Sequence, residues 1–139
     1  MANILKPLSQ LADAASMTLG GETPDEVAQT YLERGWQADA AGWEAIAVTP
    51  ISDEKVVSDA VGHLLKSWLD DSARVFQKAV GNSNLPDSTN GLLVAAKAGV
   101  CILFTDGLRY DLGRRLGGKL EAQGCSVNIG HRWAALPSV

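Results

Sequence analysis

Residues 100–107 read Val100-Cys101-Ile102-Leu103-Phe104-Thr105-Asp106-Gly107. Five consecutive apolar residues, β-branched and aromatic types among them, predict a strand buried on both faces, as strands of parallel sheets are. Thr105-Asp106-Gly107 closes the run with turn chemistry. Past the turn, Leu108, Leu112, Leu116 and Leu120 recur at every fourth position, which is one ridge of a helix ended by Gly124. Cys125, Val127 and Ile129 then alternate with Ser126, Asn128 and Gly130, predicting a second strand. Strand, helix and strand with short connections make a βαβ unit, whose strands lie parallel through a right-handed crossover. Gly113, Gly117 and Gly118 each weaken that helix by about 1 kcal/mol relative to Ala. They predict a close approach of its backbone to the sheet.

Upstream of this unit the pattern is helical. Leu8, Leu11, Ala12, Ala15 and Leu19 form one stripe, stopped by Gly20-Gly21. Thr23-Pro24-Asp25-Glu26 is a helix start: Thr23 suits the N-cap, Pro24 the first helical position and Glu26 the third position of a capping box. That helix is expected to end at Gly35. Trp36, Ala40, Trp43 and Ala47 mark a third helix, ended near Thr49-Pro50. A fourth is expected over 53–80, with Val57, Val61, Leu64, Leu65, Trp68, Ser72, Val75, Phe76 and Ala79 on one face and Gly81 as its stop. At 1.5 Å per residue it would be roughly 40 Å long. Trp36, Trp43 and Trp68 read as core anchors at helical spacing rather than as a ligand cluster. His63 lacks a partner at ligand spacing and reads as a surface or capping residue. The fold class is therefore mainly α with a C-terminal βαβ unit, divided as residues 1–97 and 98–139 across the Gly- and Asn-rich stretch 81–91.

Composition narrows the function classes. The chain has 139 residues, the size of one ordinary domain. Its 12 basic and 16 acidic side chains leave a net charge of −4, which argues against a global electrostatic grip on nucleic acid or anionic lipid. The charge is uneven: residues 1–97 carry 7 basic and 13 acidic side chains, residues 98–139 carry 5 and 3. The longest apolar run, 100–104, is far below the ~20 residues that span a bilayer. No signal peptide is visible at the N-terminus. Cys101 and Cys125 form neither a zinc pattern nor a disulfide scaffold. These features predict a cytoplasmic chain.

Asp106 is the residue most open to a chemical role. It sits at the carboxyl end of the first predicted strand, where open α/β sheets place their ligands. An Asx turn or helix cap accounts for it equally well. No GxGxxG or Walker lysine accompanies it, and Leu108 two places on breaks the paired-acid pattern of haloacid-dehalogenase-type phosphatases. A strand-tip carboxylate can instead hold a divalent cation.

The stretch Leu103-Phe104-Thr105-Asp106-Gly107-Leu108-Arg109-Tyr110-Asp111 resembles the opening motif of PglZ domains, members of the alkaline phosphatase superfamily. Ala135-Leu136-Pro137-Ser138-Val139 is similar to the later Pro-Ser/Thr segment of that family, in the same order and at a fitting separation. The resemblance covers 99–139. The helical part with its scattered tryptophans is more loosely similar to what precedes the PglZ domain in bacteriophage-exclusion proteins. It implies a metal-dependent phosphatase or phosphodiesterase of phage defence, with two metals, typically zinc, driving in-line displacement at phosphorus.

Carried across, the resemblance makes Asp106 the first acidic metal ligand. Arg109 and Asp111 become weaker candidates for the phosphate-binding rim, with ion pairing open to Arg109 and the helix dipole open to Asp111. His131 and Arg132 fall on the same side as solvated loop residues. The nucleophile of the family pattern would follow Val139, and Ser138 is not at its position. The chain therefore reads as an N-terminal portion ending inside the catalytic domain and inactive alone. The alternative is a non-catalytic scaffold or docking component of a phage-defence complex. Either way, other phage-defence proteins are the expected partners, together with self-association through 98–139.

Overall fold

The computed structural model describes residues 2–83, 97–131 and 133. The chain divides into two compact units, Met1–Leu85 and Pro86–Val139. Most of the expected connection 81–91, together with Arg132 and residues 135–139 of the second motif, lies outside the described residues. Helices α1 (Ala2–Ala15), α2 (Pro24–Thr30), α3 (Trp36–Ala47) and α4 (Glu54–Asn82) make the first unit; α5 (Tyr110–Ala122) belongs to the second. The protein is mainly helical, as its sequence pattern predicts.

α2 starts as its sequence demands. Glu26 donates its backbone N–H to Thr23 Oγ1 at 3.3 Å, and its carboxylate accepts the N–H groups of Glu22 and Thr23 at 2.7 and 3.2 Å. The backbone bonds from Glu22 and Thr23 hold the Glu26 carboxyl below its ordinary value of 4.5. A lowered folded pKa means that this support is complete above the unfolded value and fades as pH falls through the folded one. Thr23→Ala should cost about 1 kcal/mol. The difference between wild type and Glu26→Gln in thermal melts should be present at neutral pH and shrink below the ordinary carboxyl range.

Four helix boundaries differ from the sequence pattern. α1 begins at Ala2 and carries Pro7 in its interior, because Ile4 and Leu8 extend its apolar stripe onto the core. It stops at Ala15, where Ser16 Oγ donates to Asp13 O at 2.7 Å, yet Leu19 in the following connection is buried. Gly35 does not end a helix: α2 runs through a π-helical turn, Tyr31–Gly35, straight into α3. A Cβ at Gly35 would lie 2.6 Å from a Leu19 methyl, so the residue is small because Leu19 packs on it. Gly81 likewise does not stop α4, which continues to Asn82.

The core joins Leu11 of α1, Ala38, Ala41 and Ala45 of α3, and Val57, Val61, Trp68 and Ala79 of α4. Here the expected tryptophan anchors are corrected. Trp68 is buried, whereas Trp43 is 53% exposed and Trp36 only half-buried. The buried side of α3 is Ala38, Ala41, Gly42 and Ala45, small residues that let α4 approach until a Cβ at Gly42 would meet Val61 at 3.1 Å. A large ring cannot occupy such a seam, so Trp43 lies outside it. Ser72, one turn after Trp68, buries a hydroxyl that has no hydrogen-bond partner. Ser72→Ala should therefore be neutral or stabilise by up to about 1 kcal/mol in denaturant titrations.

In the second unit α5 ends as predicted. Gly124, at φ +85°, lets its N–H reach Glu121 O and the Cys125 N–H reach Leu120 O, closing a Schellman motif. The flanking strands of the expected βαβ unit are not found: no strand occurs among the described residues. The run 100–104 has the composition of a doubly covered strand but no covering layer among the described residues. Val100 and Ile102 are about half exposed, and Leu103 and Phe104 are more than four-fifths exposed. The second run keeps part of its expected packing, since a Cβ at Gly117 would meet Ile129 at 3.1 Å and Val127 at 3.4 Å. Of the three glycines expected to face a sheet, Gly117 alone receives this segment; Gly113 meets Leu108, a Cβ at Gly118 would have nothing within 4 Å, and Leu112, Leu116 and Leu120 are each more than a third exposed.

Candidate functional site

The motif Asp106-Gly107-Leu108-Arg109-Tyr110-Asp111 spans a turn and the first residues of α5. Gly107 takes φ +66°, a left-handed conformation that glycine adopts without penalty, and so turns the chain directly after Asp106. Leu108 precedes the cap and lies over Gly113, within 4.0 Å of where a Cβ would stand. Asp106 itself is exposed at the turn.

Arg109 and Asp111 are brought together. The Arg109 guanidinium donates from Nε to Asp111 Oδ1 at 3.0 Å and from Nη2 to Oδ2 at 2.9 Å, a two-pronged fork. The Asp111 side chain is 3% exposed and that of Arg109 35%. The sequence pattern placed Asp111 in the first turn of the helix, where it is found, but carried no sign of its burial. With both oxygens engaged by Arg109, Asp111 is poorly placed to take a metal as well.

His131 and Cys125 are exposed, as is Cys101; both cysteines are free. His63, in the other unit, sets Nδ1 2.7 Å from the carbonyl oxygen of Asp59, one turn earlier on α4. Among the described residues no three His, Cys, Asp or Glu side chains cluster so that they could hold a metal ion. Asp106 supplies one carboxylate, and the residues around it do not by themselves build the centre that the family resemblance implies.

Among the described residues, two concave surfaces lie in the helical unit, not in the unit that carries the motif. One, of about 610 Å³, lies between Gly20–Thr23 and the last turns of α4. A second, of about 480 Å³, runs between α1 and α3. Its floor is Ala14, Ala40 and Ala41, with Met17 and Trp36 at one end and the carboxylates of Asp13 and Glu44 on its two walls. Asp13 and Glu44 are both exposed. The signal for this groove was present as Gln10, Asp13, Ala14 and Met17 at helical spacing, but only the pairing of α1 with α3 gives it meaning. Comparison with family models, curated proteins and solved structures found no match to this chain. No helix among the described residues is long and apolar enough to cross a membrane.

Proposed function

We propose that this chain is part of a metal-dependent phosphatase- or phosphodiesterase-like protein of bacterial phage defence, acting in the cytoplasm alongside other phage-defence proteins. Residues 1–97 supply a helical segment, and 98–139 the first βαβ unit of a PglZ, alkaline-phosphatase-like domain. The observation that carries the reading is the motif itself: Asp106 stands exposed at a glycine turn directly before α5, and Arg109 and Asp111 are locked together behind it. In this reading Asp106 is the first acidic metal ligand. Arg109 and Asp111 fix the entry of the chain into α5 and so hold the turn that presents Asp106. The packing of Val127 and Ile129 on Gly117 is compatible with a second strand once neighbouring strands complete a sheet.

A catalytic metal needs about three or more protein ligands. The chain alone is accordingly inactive in this reading, with no tight zinc site. An aryl phosphate assay with added zinc or manganese should show no turnover above buffer; turnover abolished by Asp106→Ala would overturn this. The reading itself is tested in the host cell. Asp106→Ala should abolish protection against phage with the protein level unchanged, whereas undiminished protection would reject a metal-ligand role. Undiminished protection is also what the second reading, a non-catalytic docking component, expects. The acidic groove between α1 and α3 favours that second reading. Self-association through 98–139 is proposed under either, because the three ridge leucines of α5 each remain more than a third exposed.

A further inference from the structure

The α1–α3 groove and the α5 ridge are complementary surfaces. The ridge consists of Leu112, Leu116 and Leu120, which are 38%, 49% and 37% exposed. Arg115 and Lys119, both exposed and one turn apart, flank it on the side away from Ile129. The groove has a floor of alanines, a Met17–Trp36 end and acidic walls, and no basic residue lines it. From Leu112 to Leu120 is about 12 Å along a helix. Side-chain ridges one turn apart on one helix interdigitate with the grooves on the surface of another.

We propose that α5 of one copy of this chain lies in the α1–α3 groove of a second copy. The leucines cover the alanine floor, and Arg115 and Lys119 meet an acidic wall formed by Asp13 or Glu44. Charge favours this pairing over α5 against α5. The 85 residues of the first unit carry 6 basic and 12 acidic side chains, and the remaining 54 carry 6 and 4. Each copy offers one ridge and one groove, and a dimer in which each ridge fills the partner's groove is the closed form of this exchange. The inference rests on the self-association proposed above and assigns its surface.

The test uses the full chain in sedimentation velocity from low micromolar to millimolar concentration. Wild type should form dimers. Leu116→Glu should be monomeric with an unchanged helical circular dichroism spectrum. The charge-reversed chains D13K/E44K and R115E/K119E should each be monomeric alone, because groove and ridge then carry the same sign. Mixed, they should dimerise with each other, since each ridge again meets a groove of opposite sign. A wild-type chain that stays monomeric throughout overturns the self-association and this inference with it. A dimer that survives both L116E and the charge reversals keeps the association but rejects this surface. Reversed chains that fail to dimerise when mixed reject it too.

Discussion

Trp68→Ala should lower the stability of the helical unit by about 3–5 kcal/mol, the usual cost of removing a buried tryptophan. Trp68 is 3% exposed in the middle of α4, within the cluster that also holds Leu11, Val61 and Ala38. Its indole Nε1 donates to the carbonyl oxygen of Met17 at 3.0 Å, a contact across 51 residues of sequence. The ring therefore does two things: it fills the core beneath α4 and ties down the connection that follows α1. Trp68→Phe separates them. It keeps most of the apolar volume but leaves the Met17 carbonyl without that donor, which should cost about 1–3 kcal/mol. Urea titrations of the two variants give the comparison. A loss below about 1 kcal/mol for Trp68→Ala would mean that the site collapses freely around the missing ring. With Trp43 half exposed, Trp43→Ala should change stability far less.

The contrast among the three tryptophans shows what the sequence could and could not say. Periodicity put Trp36 and Trp43 on one helix with Ala40 and Ala47, and that helix is real. Which side of it faces inward was decided by the closeness of the neighbouring helices, and the close seam selected alanine and Gly42 over rings. A four-residue repeat of aromatics is blind to interhelical distance. The capping box of α2 was legible in full, because all its bonds lie within five residues. Gly35 was misread for the opposite reason. Its smallness answers to Leu19, sixteen positions away, and a helix pattern cannot reveal that neighbour. The run 100–104 was read as a strand from composition, but a strand is a property of pairing, and its apolar side chains are exposed here. At the candidate site, the place of Asp106 before a helix is legible and the sequence leaves ion pairing open to Arg109, but neither Asp111 as its partner nor the burial of Asp111 can be read from it. The acidic groove was not legible, since its two walls come from helices more than twenty residues apart in sequence.

Asp111→Ala should loosen the second unit with little effect on the first. Asp111 and Gly117 are the buried residues of α5, while the leucines of that helix are all more than a third exposed. A helix of 13 residues is marginal on propensity alone, and the three glycines of α5 make it weaker still. Among the described residues, the contacts that hold it include Val127 and Ile129 on Gly117, the Schellman turn at Gly124 and the Arg109–Asp111 fork. Removing the carboxylate leaves a guanidinium that is two-thirds covered without the partner of both its prongs. Because Arg109 keeps some access to water, the expected loss is about 1–3 kcal/mol rather than that of a fully buried pair. In so thinly packed a unit that is enough to open α5. Hydrogen exchange at a concentration where the chain is monomeric should show protection falling across Tyr110–Ala122 and unchanged along α4. The double variant R109A/D111A should recover part of the loss, since it removes the partly covered guanidinium together with the carboxylate it was paired to. If Asp111→Ala leaves α5 fully protected, the fork is a surface pair without consequence and the helix is held by its leucines, which would then have to be covered.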